Sequence, residues 1–171
     1  MDLIVKYFNE LSTTELYEIL KTRFEIFFTE QECIYQDLDD KDQDAIYVFC
    51  YNDSGRVAGC LRVFWKDHDE TFGIAQIGRV VTLEHGKGIG GRILHEGVRV
   101  ATEQLKAKKI YLEAQEYAID YYAKEGFMAR TTRAEINIDA LCQSYGLKRS
   151  FTTEYTFTKY VPVFRSTIGL P

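Results

Sequence analysis

No run of about 18 apolar residues occurs anywhere in the sequence, so a membrane-spanning helix is not expected. The opening residues, MDLIVKYFNE, carry neither a basic leader nor a long apolar stretch, and a secretion signal is not expected either. Basic charge is short as well: 21 Lys and Arg stand against 26 Asp and Glu, a formal charge of −5. With a pI near 5.3, bulk attraction to nucleic acid is excluded as a default. The four cysteines, Cys33, Cys50, Cys60 and Cys142, are dispersed, with no C-x-x-C and no ligand-like spacing to His68, His85 or His95. Reduced thiols in a cytoplasmic protein without bound metal are the simplest reading. Internal repeats and low-complexity linkers are also missing. What remains is an ordinary globular composition, 46% hydrophobic and 27% charged over 171 residues, long enough for one domain to bury a core without disulfides or metal. Residues 1–150 are read as that domain and 151–171 as a C-terminal strand or tail.

Hydrophobic patterning supplies the elements. "LIVKYF" (3–8) is a short β-type run, and Ser12 with Glu15 makes a capping box that starts a helix. Leu16, Leu20, Phe24 and Phe27 predict the apolar face of that helix, which should run to about Phe28. The acidic stretch that follows, through Asp44, reads as a loop or short helix able to bury little. "AIYVFCY" (45–51) and "RVAGCLRVFW" (56–65) predict a hairpin through Asn52-Asp53-Ser54-Gly55, and 72–81 a third strand. A glycine-rich turn and a helix come next, with Leu94, Val98, Ala101 and Leu105 as the buried stripe. A strand over 109–114 and a short helix stopped by Gly126 complete β-α-β-β-β-α-β-α. Thr152–Tyr160 alternates like a strand, and Pro162 should interrupt central pairing.

The turn, LEHGKGIGGRIL (83–94), carries the main functional signal. The Walker pattern is absent, because Lys87 precedes Gly88. A dinucleotide fingerprint is formally met by Gly86, Gly88 and Gly91, with Glu113 ending the next strand. Against it, four residues, Thr82, Leu83, Glu84 and His85, separate Val81 from Gly86, and the motif follows a β-meander instead of opening a repeated βαβ unit. Glycines that merely permit tight packing are the plain alternative. Four glycines at a helix start, where free N–H groups and the positive dipole end already suit an anion, favour a phosphate cradle.

At His85-Gly86-Lys87-Gly88-Ile89-Gly90 the chain resembles the acyl-CoA turn of the GNAT acetyltransferase superfamily, [QR]-x-x-G-x-[GA], with His in the first position. Gln115, Ala118, Tyr121-Tyr122 and Gly126-Phe127 match a second motif of that superfamily. "RFEIFFTEQECIYQDLDDKD" and "IGRVV" are similar to segments of its ElaA-like branch. The resemblance covers about Leu3 to Phe127. It implies a single α/β domain built on a twisted, mixed but mostly antiparallel sheet flanked by helices, splayed beside the strand ending at Val81.

It further implies transfer of an acetyl group from acetyl-CoA, a co-substrate, to a small-molecule or protein amine by direct attack in a ternary complex. The N–H groups of Lys87, Gly88, Ile89, Gly90, Gly91 and Arg92 would hold the pyrophosphate, with charge from Lys87 and Arg92 and a side-chain contact from His85. Backbone at Val80 and Val81 would meet the pantetheine arm and the thioester oxygen. Tyr122 is the proton donor to the leaving thiolate, its alternative being a core aromatic among twelve tyrosines. An alkylammonium of pKa about 10.4 also needs a base, for which Glu30 and Glu113 are candidates. Each could equally be a solvated charge. Asp37, Asp39 and Asp40 could draw in a cationic amine, or simply keep an acidic loop soluble. Two rival readings stand beside this one: a non-catalytic acyl-CoA-binding module and a nicotinamide dinucleotide oxidoreductase. No nucleic-acid or membrane partner is expected, while the C-terminal tail could pair across a homodimer edge.

Overall fold

A computed structural model describes residues 2–31, 36–68, 71–130 and 154–160. Cys33, Cys142, Pro162, the 150/151 boundary and the tail expected to pair between copies lie outside the described residues. The chain forms two compact units, the first running to Tyr111 and the second taking up Leu112–Lys159.

In the first unit, β1 (Ile4–Tyr7), β2 (Ile46–Tyr51), β3 (Val57–Trp65) and β4 (Ile74–Thr82) lie side by side and antiparallel. The next neighbour, β5 (Lys109–Gln115), pairs in parallel with β4 from Ile74↔Lys109 to Gln76↔Tyr111. The mixed, mostly antiparallel sheet implied by the sequence is what forms. The β2–β3 hairpin closes as its turn chemistry predicts, with Asn52 Oδ1 accepting from the N–H groups of Ser54 at 3.1 Å and Arg56 at 3.0 Å.

Helices cover both faces. Ile19 and Ile26 pack with Tyr47, Phe49, Cys60, Phe64 and Val81, placing α1 (Thr13–Phe24) on one side. Gly59 and Leu61 alternate with Cys60 and so face the other side, where α2 (Ile89–Arg99) sits so close that a Cβ on Gly97 would be 2.7 Å from Leu61. The buried stripe of α2 contains Leu94, Val98 and Ala101 as expected, and Ile93 and Val100 with them. Burying each such large side chain contributes roughly 1.5–3 kcal/mol.

The start of α1 follows the sequence. Ser12 Oγ accepts from Glu15 N at 3.2 Å, and Ser12 N donates to Glu15 Oε2 at 2.8 Å. Its face does not. The buried positions are Ile19, Thr22 and Arg23, while Phe24 is 58% exposed and stacks on the 53%-exposed Phe28. The competing demand is polar: Thr22 Oγ1 donates to Val57 O at 2.9 Å, and Arg23 is needed inside by two aspartates. The helix then widens into one π turn, Glu25–Glu30, closed by Gln31 N donating to Ile26 O at 2.9 Å.

One irregularity shapes β4. Its pairing to β3 runs Trp65↔Ala75 to Arg62↔Gly78 and resumes at Cys60↔Val81, so Arg79 and Val80 stand opposite Leu61 alone. Arg79 takes φ +55°, turning the chain out to make room for the extra residue of a β-bulge.

In the second unit, α3 (Ile119–Ala123) ends where Gly126 adopts φ +79°, a conformation that costs glycine nothing. That reversal brings Phe127 back onto the Tyr122 ring, with centroids 6.2 Å apart. β6 (Met128–Arg130) and β7 (Glu154–Tyr160) pair antiparallel.

Candidate functional site

The glycine turn is built as an anion cradle. After β4, Gly86 and Gly88 take φ +77° and +73°, where a side chain would be strained. Gly88 caps α2 without a side-chain acceptor, and the first turn holds no acidic residue. The leading N–H groups of a helix have no carbonyl of their own, and the first turn also carries the positive end of the dipole. Arg92 N, further on, bonds Gly88 O at 3.3 Å. Gly91 is regular helix, and a Cβ there would meet nothing within 4 Å. Neither strain nor packing asks for glycine at a position where it costs about 1 kcal/mol against alanine. Free donors, open space and a missing Cβ together fit a phosphate lying against the backbone.

Side chains rim this turn. Lys87 Nζ is 2.6 Å from Glu84 Oε2, so its charge is already matched. His85 Nε2 lies 3.0 Å from Glu30 Oε1, with the two side chains 70% and 50% exposed. Two residues read separately from the sequence, one as a phosphate contact and one as a base, are therefore neighbours. Arg92 is exposed, Ile89 buried and Gly90 half-buried. Val81 is buried and Val80 half-buried, both at the β4 bulge that leads into the turn.

Behind the bulge lies a charge network that patterning did not reveal. Arg23 pairs with Asp42 at 2.5 Å and Asp37 at 2.9 Å. Arg62 holds Asp39 at 2.6 Å and Asp42 at 2.9 Å, and Arg79 meets Asp37 at 2.7 Å and Asp39 at 3.2 Å. Tyr47 donates its hydroxyl to Asp42. Burial alone would raise the Asp39 carboxyl, but hydrogen bonds and charge from Arg62 and Arg79 hold it at about 2. Asp42 is lowered too, burial being outweighed by Arg23. Three acids thus answer three guanidiniums, which corrects the idea of Asp37 and Asp39 as bait for a cationic amine; Asp40 alone stays exposed. The signal was present in Arg23 set among aromatics and Arg62 in the middle of an apolar strand.

In the second unit Tyr122 is buried, 6% exposed, edge-on to Tyr121 at 4.9 Å between centroids. Burial first, then the neighbouring Tyr121 and Tyr117, raises its phenol pKa. The Tyr121 hydroxyl is buried without a hydrogen-bond partner among the described residues, and burial pushes it up to about 12. Glu113 is exposed on β5. Among the described residues no three metal-ligating side chains come together, and no helix is long and apolar enough to cross a membrane.

Comparison with known proteins agrees with this geometry. Residues 13–127 match the acetyltransferase (GNAT) family. Protein ElaA of Escherichia coli is 31% identical over 127 residues, covering 72% of this chain and 81% of ElaA. The crystal structure of Escherichia coli ElaA superposes with a TM-score of 0.75 at 22% identity, over 92% of this chain and 98% of that one. An acyl-CoA N-acyltransferase from Pseudomonas aeruginosa superposes at 0.73 with 27% identity, over 93% and 99%. The chain belongs to the acetyltransferase (GNAT) family, with homology to ElaA, and that membership implies acyl-CoA-dependent acyl transfer.

Proposed function

We propose that this GNAT-family chain moves an acetyl group from acetyl-CoA to an amine, on a small molecule or a protein, by direct attack within a ternary complex. The observation that carries the reading is Gly91: a glycine in the first turn of a helix, where the leading N–H groups have no intrahelical carbonyl, with open space where its Cβ would be. Backbone donors from Lys87 to Gly91 hold the pyrophosphate, and Arg92 adds charge from its side chain. Acetyl-CoA supplies the activated thioester carbonyl. A backbone N–H at the bulge, at Val80 or the neighbouring Val81, stabilises the charge that develops on its oxygen.

Glu30 with His85 takes the proton from the amine. Glu113 is the alternative acceptor. Tyr122 donates a hydrogen bond to the departing thiolate. A phenol made less acidic by burial gives its proton up reluctantly, so it steadies the thiolate while solvent completes the transfer.

The test is a thermal-shift titration with acetyl-CoA, CoA and NADH in parallel. A ligand at about 100 times its Kd adds about 2.7 kcal/mol. Stabilisation by acetyl-CoA and CoA, followed by thiol release on an amine panel, is the expected result. Binding without turnover would leave a non-catalytic acyl-CoA module. A response to NADH alone would revive the dinucleotide reading, which the β-meander preceding the turn already disfavours.

A further inference from the structure

Arg79 sits at the extra residue of the β4 bulge with φ +55°, a backbone region where a residue bearing a Cβ is uncommon. Glycine or asparagine would sit there at lower cost. Its side chain gives a reason for arginine: Nε is 2.7 Å from Asp37 Oδ1, and one terminal nitrogen is 3.2 Å from Asp39 Oδ2 and 2.9 Å from the Asp37 carbonyl.

The two acids are themselves fixed. Asp39 receives two bonds from Arg62, at 2.7 and 2.6 Å, and Arg62 stands opposite Gly78 at the last regular pair before the bulge. Asp37 Oδ2 receives Arg23 Nε from α1 at 2.9 Å. The loop carrying these acids is therefore anchored to α1 and β3, and Arg79 ties the bulge to that anchor. Without that tether the extra residue is held by nothing but its own backbone, and the strand on either side of it loses its fixed register against Leu61.

We propose that Arg79 is a positioning residue, whose guanidinium, anchored on Asp37 and Asp39, holds the β4 bulge in the shape that offers the Val80 backbone N–H to the thioester oxygen. This rests on the acyl-transfer reading for the ligand, and on the ion pairs alone for the clamp.

Hydrogen exchange on the ligand-free full chain tests the clamp. In Arg79→Met and Arg79→Gly the amides of 77–82 should exchange about 10-fold faster than in the parent, with Arg79→Lys close to the parent. Arg79→Gly is the sharpest variant, because glycine accepts φ +55° and only the tether is removed. Folding should survive, since Asp37 keeps Arg23 and Asp39 keeps Arg62; Asp39→Asn loosens the same anchor from its other end and should act in the same direction. In turnover, kcat should fall about 30- to 100-fold, while the KM for acetyl-CoA and the Kd for CoA stay within about threefold, because the glycine cradle is untouched. Exchange and kcat unchanged in Arg79→Gly, with CoA still bound, would overturn the role of Arg79 alone. A parent that binds neither CoA nor acetyl-CoA would overturn the acyl-transfer reading and the ligand half of this proposal with it.

Discussion

The imidazole Nε2 of His85 and the carboxylate Oε1 of Glu30 are 3.0 Å apart, joining the glycine turn to the π turn that ends the first helix. The pair places a proton acceptor at the rim of the phosphate cradle. Glu30→Gln should lower turnover with an amine by about 10²-fold, within the usual range for losing an acid–base group. The Kd for CoA should stay within about threefold if Glu30 serves the proton and not the phosphate. Parallel measurement of kcat and CoA affinity separates the two, and equal losses in both would reassign Glu30 to His85 and the phosphate.

Tyr122→Phe keeps the ring contacts to Tyr121 and Phe127 and removes only the hydroxyl. The expected outcome is a fall in kcat of about 10²-fold with thermal stability changed by less than about 1 kcal/mol. A stability loss without a turnover loss would make Tyr122 a core aromatic after all.

Gly91→Ala separates folding from binding. Adding a methyl group where nothing lies within 4 Å, in regular helix, should stabilise the fold by about 0.5–1 kcal/mol. The same methyl group stands where a phosphate would approach, so CoA affinity should drop about 10-fold, read by calorimetry. Gly88→Ala should instead destabilise by about 1 kcal/mol, because its φ is +73°.

Acid should unfold this chain partly through Asp39. Its folded carboxyl is held at about 2, below the roughly 3.9 of an unfolded aspartate. The unfolded chain then binds more protons, and stability rises with pH through that window. The stabilisation is complete above about pH 4 and disappears as pH falls through about 2. Urea midpoints measured across that range should fall less steeply in Asp39→Asn than in the parent. Removing Asp42 would be costlier still: Asp42→Asn leaves Arg23, fully buried, short of its partner, at about 3–5 kcal/mol.

Local chemistry was legible wherever one residue decides one conformation. The Ser12–Glu15 box, the Asn52–Gly55 turn and the Gly126 stop all appear where their residue types put them, and the strand order follows from short connections. The face of α1 was not legible, because apolar periodicity cannot see that a buried aspartate pair needs Arg23 more than the core needs Phe24. The acidic loop was misread for the same reason: its partners, Arg62 and Arg79, come from strands far along the chain. The His85–Glu30 pair joins positions 55 residues apart and has no local signature.

The insertion in β4 also reverses the strand's phase. Ala75 and Ile77 lie on the α2 side of the sheet, Ile77 being paired with Val63, yet Val81, of the same odd parity, lies on the α1 side beside Ile19 and Ile26. The odd–even rule that sorts side chains between two cores therefore changes sign midway through one strand. Deleting Arg79 alone would restore unbroken alternation, leaving Val80 to face Leu61 and Val81 opposite Cys60 in its own core as before. Anywhere else in β4 a lost residue has no such slack to absorb it, and one half of the strand would turn out of its core.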